Sequence, residues 1–322
     1  MGHTSRYERE LLMNYYFAPL EGISGNLYRN IHHQFFAGVD AYFAPFISTS
    51  HSTDKRKIEM RDILPENNMG VPLVPQLLSN NGELFLEYEK AVADLGYTEV
   101  NLNLGCPSKT VVAKRRGSGF LEDLDELHRF LEIIYNGRTI DISIKTRLGL
   151  HNSERFLKLM EIYNEYPIKE LTIHPRTQKD FYGGHPDLEL FCAGYEMSKN
   201  PVCYNGDICT VEDAKRIAEA FPKLSAIMIG RGFLKNPGLL REIQGNGPVD
   251  VQTLRAFHDA LLAGYKERLF GDKPVLFKMK EFWVYLGQSY PQMEKTLKKI
   301  KKCPRLTEYD ALAREMFENI KQ

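Results

Sequence analysis

The chain is short of everything that would cross-link it or anchor it. Its 322 residues include five cysteines, at 106, 192, 203, 209 and 303, and no two form a CxxC pair. That spacing excludes a disulfide framework and a zinc ribbon as organising principles, and no metal site is expected. No apolar run approaches the roughly 18–20 residues that a bilayer-spanning helix needs. The opening MGHTSRYERELLM has no apolar signal-peptide segment. Residues 1–13 read as a polar lead-in with Met13 as an alternative start, and the expected compartment is the cytoplasm. No internal repeat or low-complexity tract stands out. Net charge is absent too, with 42 Lys and Arg against 42 Asp and Glu, which argues against a general nucleic-acid binder. What is present is the composition of an ordinary globular protein, 43% hydrophobic and 26% charged. The length fits a large domain plus a small one.

The zero net charge hides an asymmetry. Residues 251–322 hold 14 Lys and Arg against 9 Asp and Glu, a balance of +5, and residues 1–250 hold the other 28 against 33, a balance of −5. A basic tail on an acidic body suits a polyanionic substrate. A lysine-rich solvated helix face accounts for it equally well.

Short apolar runs alternate with helical patterns through the first 240 residues. The candidate strands are YYFAP (15–19), AYFAPF (41–46), LVPQLL (73–78), EVNLNL (99–104), DISIK (141–145), ELTIH (170–174), PVCYN (201–205) and AIMIG (226–230). Segments 83–95, 125–135 and 154–163 carry apolar residues at helical period. TVEDAKRIAEAF (210–221) opens with a Thr cap and acidic residues in its first turn. Eight strands alternating with helices predict an α/β fold, a (β/α)8 TIM barrel over 14–245; a doubly wound sheet is the competitor. The barrel is favoured because polar or glycine-rich segments follow nearly every strand, and a barrel gathers such loops around one mouth. NGPVD (246–250) reads as a linker, and 251–322 as a small C-terminal helical domain.

Six of the loop segments carry motifs: APLEGISG (18–25), NLNLGCPSK (101–109), IKTRLG (144–149), TIHPRT (172–177), YNGDI (204–208) and MIGRG (228–232). In order and spacing they resemble the tRNA-dihydrouridine synthases, over about 14–240 and more weakly through the helical tail. The resemblance implies an FMN-containing barrel, NADPH as reductant, and a C-terminal helical domain that binds tRNA. The implied activity is reduction of specific tRNA uridines to 5,6-dihydrouridine. No DNA or membrane partner is expected, and the chain is expected to be a monomer.

The residues have a chemistry of their own beside that resemblance. Asn205, Gly206 and Asp207 follow the seventh candidate strand, and Gly230 and Arg231 the eighth. Barrels often bind phosphate there; two ordinary loop turns are the plain alternative. Lys145 ends the fifth candidate strand and should point into the mouth. The resemblance puts it against the flavin, where its charge stabilises the anionic reduced ring; otherwise it snorkels to water. Gln76, inside an apolar run, must find partners if buried. The matching family residue hydrogen-bonds the flavin, and a satisfied structural amide is the alternative. Pro19, Leu20 and Glu21 match the family segment that packs along the flavin, and His174 matches a flavin contact. Arg176 is left between flavin, RNA phosphate and a neighbouring carboxylate.

Cys106 is the candidate catalytic residue. The C4 carbonyl of uracil makes C6 accept hydride, and the charge that builds toward C5 must be met by a proton. A thiol with an ordinary pKa near ~8.5 is mostly protonated at neutral pH and can supply it; a small buried thiol is the plain reading. Asn103 and Asn101 share a strand face, and Asn103 best matches the family asparagine near the reacting base. Lys109, Lys114, Arg115 and Arg116 follow and are placed to track an RNA backbone, with Lys109 and Arg116 the substrate-binding candidates; Phe120 reads as packing. The tail run EKTLKKIKKCPR (294–305), with Arg255, Lys278 and Lys280, offers a basic face for phosphates, and Trp283 and Tyr285 read as helix core. Two competing functions remain. One is a barrel flavoenzyme acting on a free pyrimidine, similar to the dihydroorotate dehydrogenases. The other is a non-catalytic RNA-binding protein.

Overall fold

Every one of the eight apolar runs contributes a stave to one parallel barrel, in a computed structural model that describes residues 13–320. Of the polar lead-in, only Met13 falls within the described residues. The strands are β1 Asn14–Phe17, β2 Ala41–Phe43, β3 Ile47–Ser48, β4 Leu73–Val74, β5 Gln76–Leu78, β6 Glu99–Leu104, β7 Asp141–Gly149, β8 Leu171–Thr177, β9 Val202–Asn205 and β10 Ala226–Ile229. Two staves are each split in half, β2/β3 around Pro45 and β4/β5 at Pro75, because proline has no N–H for the ladder. The Pro75 carbonyl still accepts from the Asn101 N–H at 2.8 Å, so pairing continues across the gap. β2 pairs with β4 and β3 with β5, while β10 pairs with β1, and the ring therefore closes. The strands are buried along most of their length because the barrel interior lies on one side and helices on the other; β8, β9 and β10 are buried throughout.

The helices around the barrel are α1 Asn26–Phe35, α2 Thr53–Met60, α3 Gly82–Asp94, α4 Lys109–Val112, α5 Leu124–Gly137, α6 Phe156–Tyr163, α7 Leu188–Met197, α8 Val211–Ala220, α9 Arg231–Lys235 and α10 Leu239–Ile243. Local chemistry starts several of them. Asn81, Asp123 and Asp187 each accept from a backbone N–H in the first turn of α3, α5 and α7. Thr210 and Asp213 form the reciprocal capping box of α8.

Four more helices follow, α11 Val251–Arg268, α12 Asp272–Leu286, α13 Glu294–Lys302 and α14 Leu306–Asn319. The lysine-rich run is itself a helix, α13, which buries Thr296 and Ile300 and leaves its lysines in water. Three of them, α11, α12 and α14, meet at a buried polar pin: Trp283 donates to the Tyr309 hydroxyl at 2.9 Å, and that oxygen lies 2.6 Å from His258 Nε2. They dock on the barrel through α11. Phe257 is fully buried, with its ring 4.9 Å from Phe36 and 5.8 Å from Tyr28 of α1. One hydrophobic cluster runs from the barrel wall through this seam to Trp283 and Tyr309. Among the described residues no helix is long and apolar enough to cross a membrane.

Phe257→Ala should therefore cost about 3–5 kcal/mol of unfolding free energy in urea denaturation, the usual loss for a buried phenylalanine. A loss below about 1 kcal/mol would mean that the seam is not part of a common core.

Candidate active site

Strand register decides which side chains meet. Side chains alternate between the two faces of a strand, and parallel pairing aligns Gln76 with Asn101 and Asn101 with Ser143. One level toward the mouth, Asn103 aligns with Lys145, Lys145 with Thr172, and Thr172 with Cys203; above them Arg147 aligns with His174. The upper levels open into a cleft of about 890 Å³, partly open to solvent, at the C-terminal ends of the staves. Most of the residues singled out from sequence line it. Pro19, Leu20 and Glu21 come from the β1 loop, Gln76 from β5, and Asn103 and Cys106 from β6 and its loop. Lys145 and His174 enter from β7 and β8, with Asn205, Gly206, Asp207, Gly230 and Arg231 after β9 and β10.

A directed column of hydrogen bonds underlies the cleft floor. The Cys106 and Gly105 N–H groups donate to Asn103 Oδ1 at 2.9 and 3.1 Å. The Asn103 amide donates to Gln76 Oε1 at 2.7 Å, and the Gln76 amide to Asn101 Oδ1 at 2.7 Å. Asn101 donates to Ser143 Oγ at 2.9 Å, and Ser143 to Glu99 Oε1 at 2.6 Å. Glu99, at the barrel bottom, pairs with Lys169 at 2.8 Å. Backbone N–H groups can only donate and a carboxylate can only accept, so the two ends set the direction of every bond between them. Each amide has two N–H bonds and spends one on the column. Gln76 and Asn103, both cleft-lining residues, therefore each keep one free N–H donor.

The Cys106 loop is tied at each carbonyl. Gly105 accepts from Arg147 Nε, Cys106 from the Ser118 N–H and hydroxyl, and Pro107 from Gln178. Gly117 closes against it in a left-handed conformation, φ +56°, where a Cβ would meet the Cys106 carbonyl at 2.9 Å. Burial pushes the Cys106 thiol above its ordinary value; a bond from the Ser108 N–H pulls it down, Glu21 pushes it up, and Arg147 and Lys145 pull it down. The net effect keeps the thiol protonated at neutral pH.

Cations dominate the walls. Burial lowers Lys145 to about 7, with Arg147 adding repulsion. Asp207, at φ +46°, bridges Arg176 and Arg231, each at 2.6 Å. His174 is held neutral by burial and then by Arg147, Lys145, Arg176 and Arg231. Arg176 Nη1 lies 3.3 Å from its Nε2. A guanidinium can only donate, so Nε2 is the acceptor and Nδ1 carries the hydrogen.

Three predicted contacts lie elsewhere. Arg176 is buried, and all five of its N–H donors are engaged, by Gly183, Gly184, His174 and both oxygens of Asp207. Of the alternatives open for it, the structure shows the neighbouring carboxylate. Arg116 turns inward to Asn80, Ser48 and the Thr49 carbonyl. Lys109 is exposed at the start of α4, just past the Cys106 loop. Phe120 is buried 5.2 Å from Phe130. Sequence reading missed Arg147, because β7 runs four residues beyond Lys145, to Gly149; its period-two spacing from Lys145 was the available signal. It also missed Tyr182, whose ring lies 4.8 Å from the Arg231 guanidinium and 5.7 Å from that of Arg147. Tyr182 sits in an irregular loop where no periodicity marks it.

Known proteins share this arrangement. The dihydrouridine synthase family model matches residues 16–267. A tRNA-dihydrouridine(16) synthase of Pseudomonas syringae pv. tomato is 29% identical over 311 residues, 90% of this chain and 96% of that protein. A tRNA-dihydrouridine synthase B of Pasteurella multocida is 29% identical over 71% of this chain and 68% of its own length. Among solved structures, morphinone reductase in complex with tetrahydroNAD superposes with a TM-score of 0.52 at 12% identity, covering 74% of this chain and 89% of that one, and shows the barrel fold.

Lys145 gives the cleft a measurable signature. A lowered amine loses its charge as pH rises through about 7, and an anion seated beside it draws the proton back. An anionic ligand in the cleft should therefore bind with proton uptake, and more weakly as pH rises from about 7 to about 9. Calorimetry in buffers of different ionisation enthalpy reads this directly. Binding without proton uptake would show that Lys145 does not face the ligand.

Proposed function

The chain belongs to the dihydrouridine synthase family, and on that footing we propose that it reduces the C5=C6 bond of a uridine in tRNA, with FMN in the cleft and NADPH as the electron source. The observation that carries the reading is a thiol, kept protonated, at the edge of a cleft whose floor presents N–H donors and whose walls are cationic.

The residues fit the cofactor. The spare amide donor of Gln76, with Lys145 and Arg147, matches an acceptor-rich ring that becomes anionic on reduction. Pro19 and Leu20 supply an apolar wall. The loops after the seventh and eighth staves are the usual phosphate side of such barrels. There Gly206 and Gly230 leave backbone uncovered beside Arg231, and a Cβ at Gly206 would crowd the Tyr204 hydroxyl at 3.1 Å. Asp207 sets Arg231 in place and neutralises part of its charge. The flavin, reduced by NADPH, supplies the hydride that C6 of uracil accepts.

The protein's own work is to hold the base and move one proton. Cys106 gives its thiol proton to C5 as charge develops there, and water returns a proton to the thiolate afterwards. Asn103 holds the Cys106 loop through two backbone N–H bonds and keeps an amide donor for the base. Neutral His174 offers Nδ1–H without adding a charge. Arg116 and Arg176 order the loops around the site, while Lys109 stays free to meet RNA. We assign residues 14–245 to catalysis and the helices of 251–322 to RNA binding. A relative that aligns along 90% of this chain is a tRNA-dihydrouridine(16) synthase, so position 16 is the uridine inferred here.

Cys106→Ala should retain FMN and oxidise NADPH at the wild-type rate, yet form dihydrouridine about 10²–10⁴-fold more slowly, the usual contribution of a general acid. The raised thiol adds a pH test. The acid form persists below its pKa and is lost above it, so wild-type RNA reduction should fall only beyond the ordinary thiol value near ~8.5. The variant should lack that limb. Product formation by the variant at the wild-type rate would refute the assignment.

A further inference from the structure

Two phenylalanines stand in water where packing does not require them. Phe270, in the turn between α11 and α12, is fully exposed, and Phe277 on α12 is 66% exposed. Single exposed apolar residues are ordinary, but these two lie within KERLFGDKPVLFKMK (266–280), which holds five Lys and Arg against two Asp and Glu. Exposed aromatics interleaved with cations are the equipment of a surface that binds single-stranded nucleic acid.

Helix geometry gives the patch a direction. α12 buries Val275, Met279, Phe282 and Leu286. Away from that face it reaches the cleft rim at two points. Lys278 donates to the Gly22 carbonyl in the β1 loop, and Tyr285 shares a small pocket with Ile23 of the same loop. At 3.6 residues per turn, Pro274 and Glu281, the latter 3.9 Å from Lys278, come next around the helix from that rim-facing line; Phe277 and Val284 follow, and Lys273 and Lys280 come beyond them. Phe277 and Val284 are both exposed. Between rim and helix runs a groove of about 940 Å³ that Arg268, Leu269 and Lys278 line from the helix side. Glu21, Pro45 and Phe46 line both this groove and the cleft.

We propose that the outward face of α12, with Phe270 at its start, is a stacking shelf for unpaired bases of the RNA next to the target uridine. This rests on the reading of the substrate as RNA. A uridine reaches the cleft only by leaving its stack, which strips its neighbours of a stacking partner. Phe277 and Phe270 replace that partner, and Lys273, Lys278 and Lys280 meet the phosphates between. Charge favours the occupant: an aromatic strip with five Lys and Arg against two Asp and Glu complements a polyanion.

The test is the full-length, flavin-loaded Phe270→Ser/Phe277→Ser variant, with filter binding to an unmodified tRNA transcript across a salt series. Both positions are exposed, so the melting temperature should not change. The Kd should rise about tenfold or more, as expected when stacking is lost. The slope of log Kd against log salt should stay the same, because no phosphate contact is removed. Lys273→Gln/Lys280→Gln should instead flatten that slope. A Phe variant whose Kd stays within about twofold of wild type, while the wild type binds the transcript and forms dihydrouridine, overturns the shelf alone. A changed oligomeric state with unchanged Kd gives the face to a second copy and also overturns it. A wild-type protein that neither binds nor reduces the transcript overturns the RNA reading, and the shelf with it.

Discussion

One column of hydrogen bonds, from the Cys106 backbone N–H through Asn103, Gln76, Asn101 and Ser143 to Glu99, determines what the cleft can hold. Buried amides are tolerated only when paired, and leaving one unpaired costs about 1–3 kcal/mol. Here each group is paired, and every bond points the same way because one end is backbone N–H and the other a carboxylate. The column both holds the thiol loop and turns the free amide valences into donors. Reversing any one amide would set donor against donor somewhere along the line.

The electrostatics build on that floor. Four cationic side chains, Lys145, Arg147, Arg176 and Arg231, act on His174; Arg176 and Arg231 share one bridging carboxylate, Asp207, and Glu21 lines the rim. Such a surplus of buried positive charge is costly by itself, which is why Lys145 is pushed down to about 7 and His174 is kept neutral. The same surplus becomes favourable when an anion occupies the cleft. The protein thus carries at rest a strain that its ligand relieves, while Cys106, where burial outweighs the pull of Arg147 and Lys145, keeps its proton.

The barrel is legible in the sequence because eight short, largely apolar runs alternate with helical patterns, and polar or glycine-rich loops follow nearly every run. The gathering of motifs at the mouth follows from barrel topology, so Gln76, Asn103, Lys145 and His174 could be placed from their positions after or within strands. Direction is harder to read than position. Arg116 and Arg176 look like RNA contacts because they are charged and lie near the motifs, but three donors of Arg116 are spent on Asn80, Ser48 and the Thr49 carbonyl, and all five of Arg176 on Gly183, Gly184, His174 and Asp207. Arg147 was hidden because nothing local marks where β7 stops. Glu99 and Ser143 were invisible as site residues, since their effect reaches the cleft only through three intervening amides.

The column can be broken one link from its carboxylate end without touching the cleft. In flavin-loaded Ser143→Ala, Asn101 loses its acceptor, and the line from Glu99 to Asn103 ends. The account predicts NADPH-driven flavin reduction near the wild-type rate, and dihydrouridine formation slowed on the order of tenfold or more, the scale expected when a catalytic group is misplaced by a fraction of an ångström. Dihydrouridine formation at the wild-type rate in that variant would contradict it.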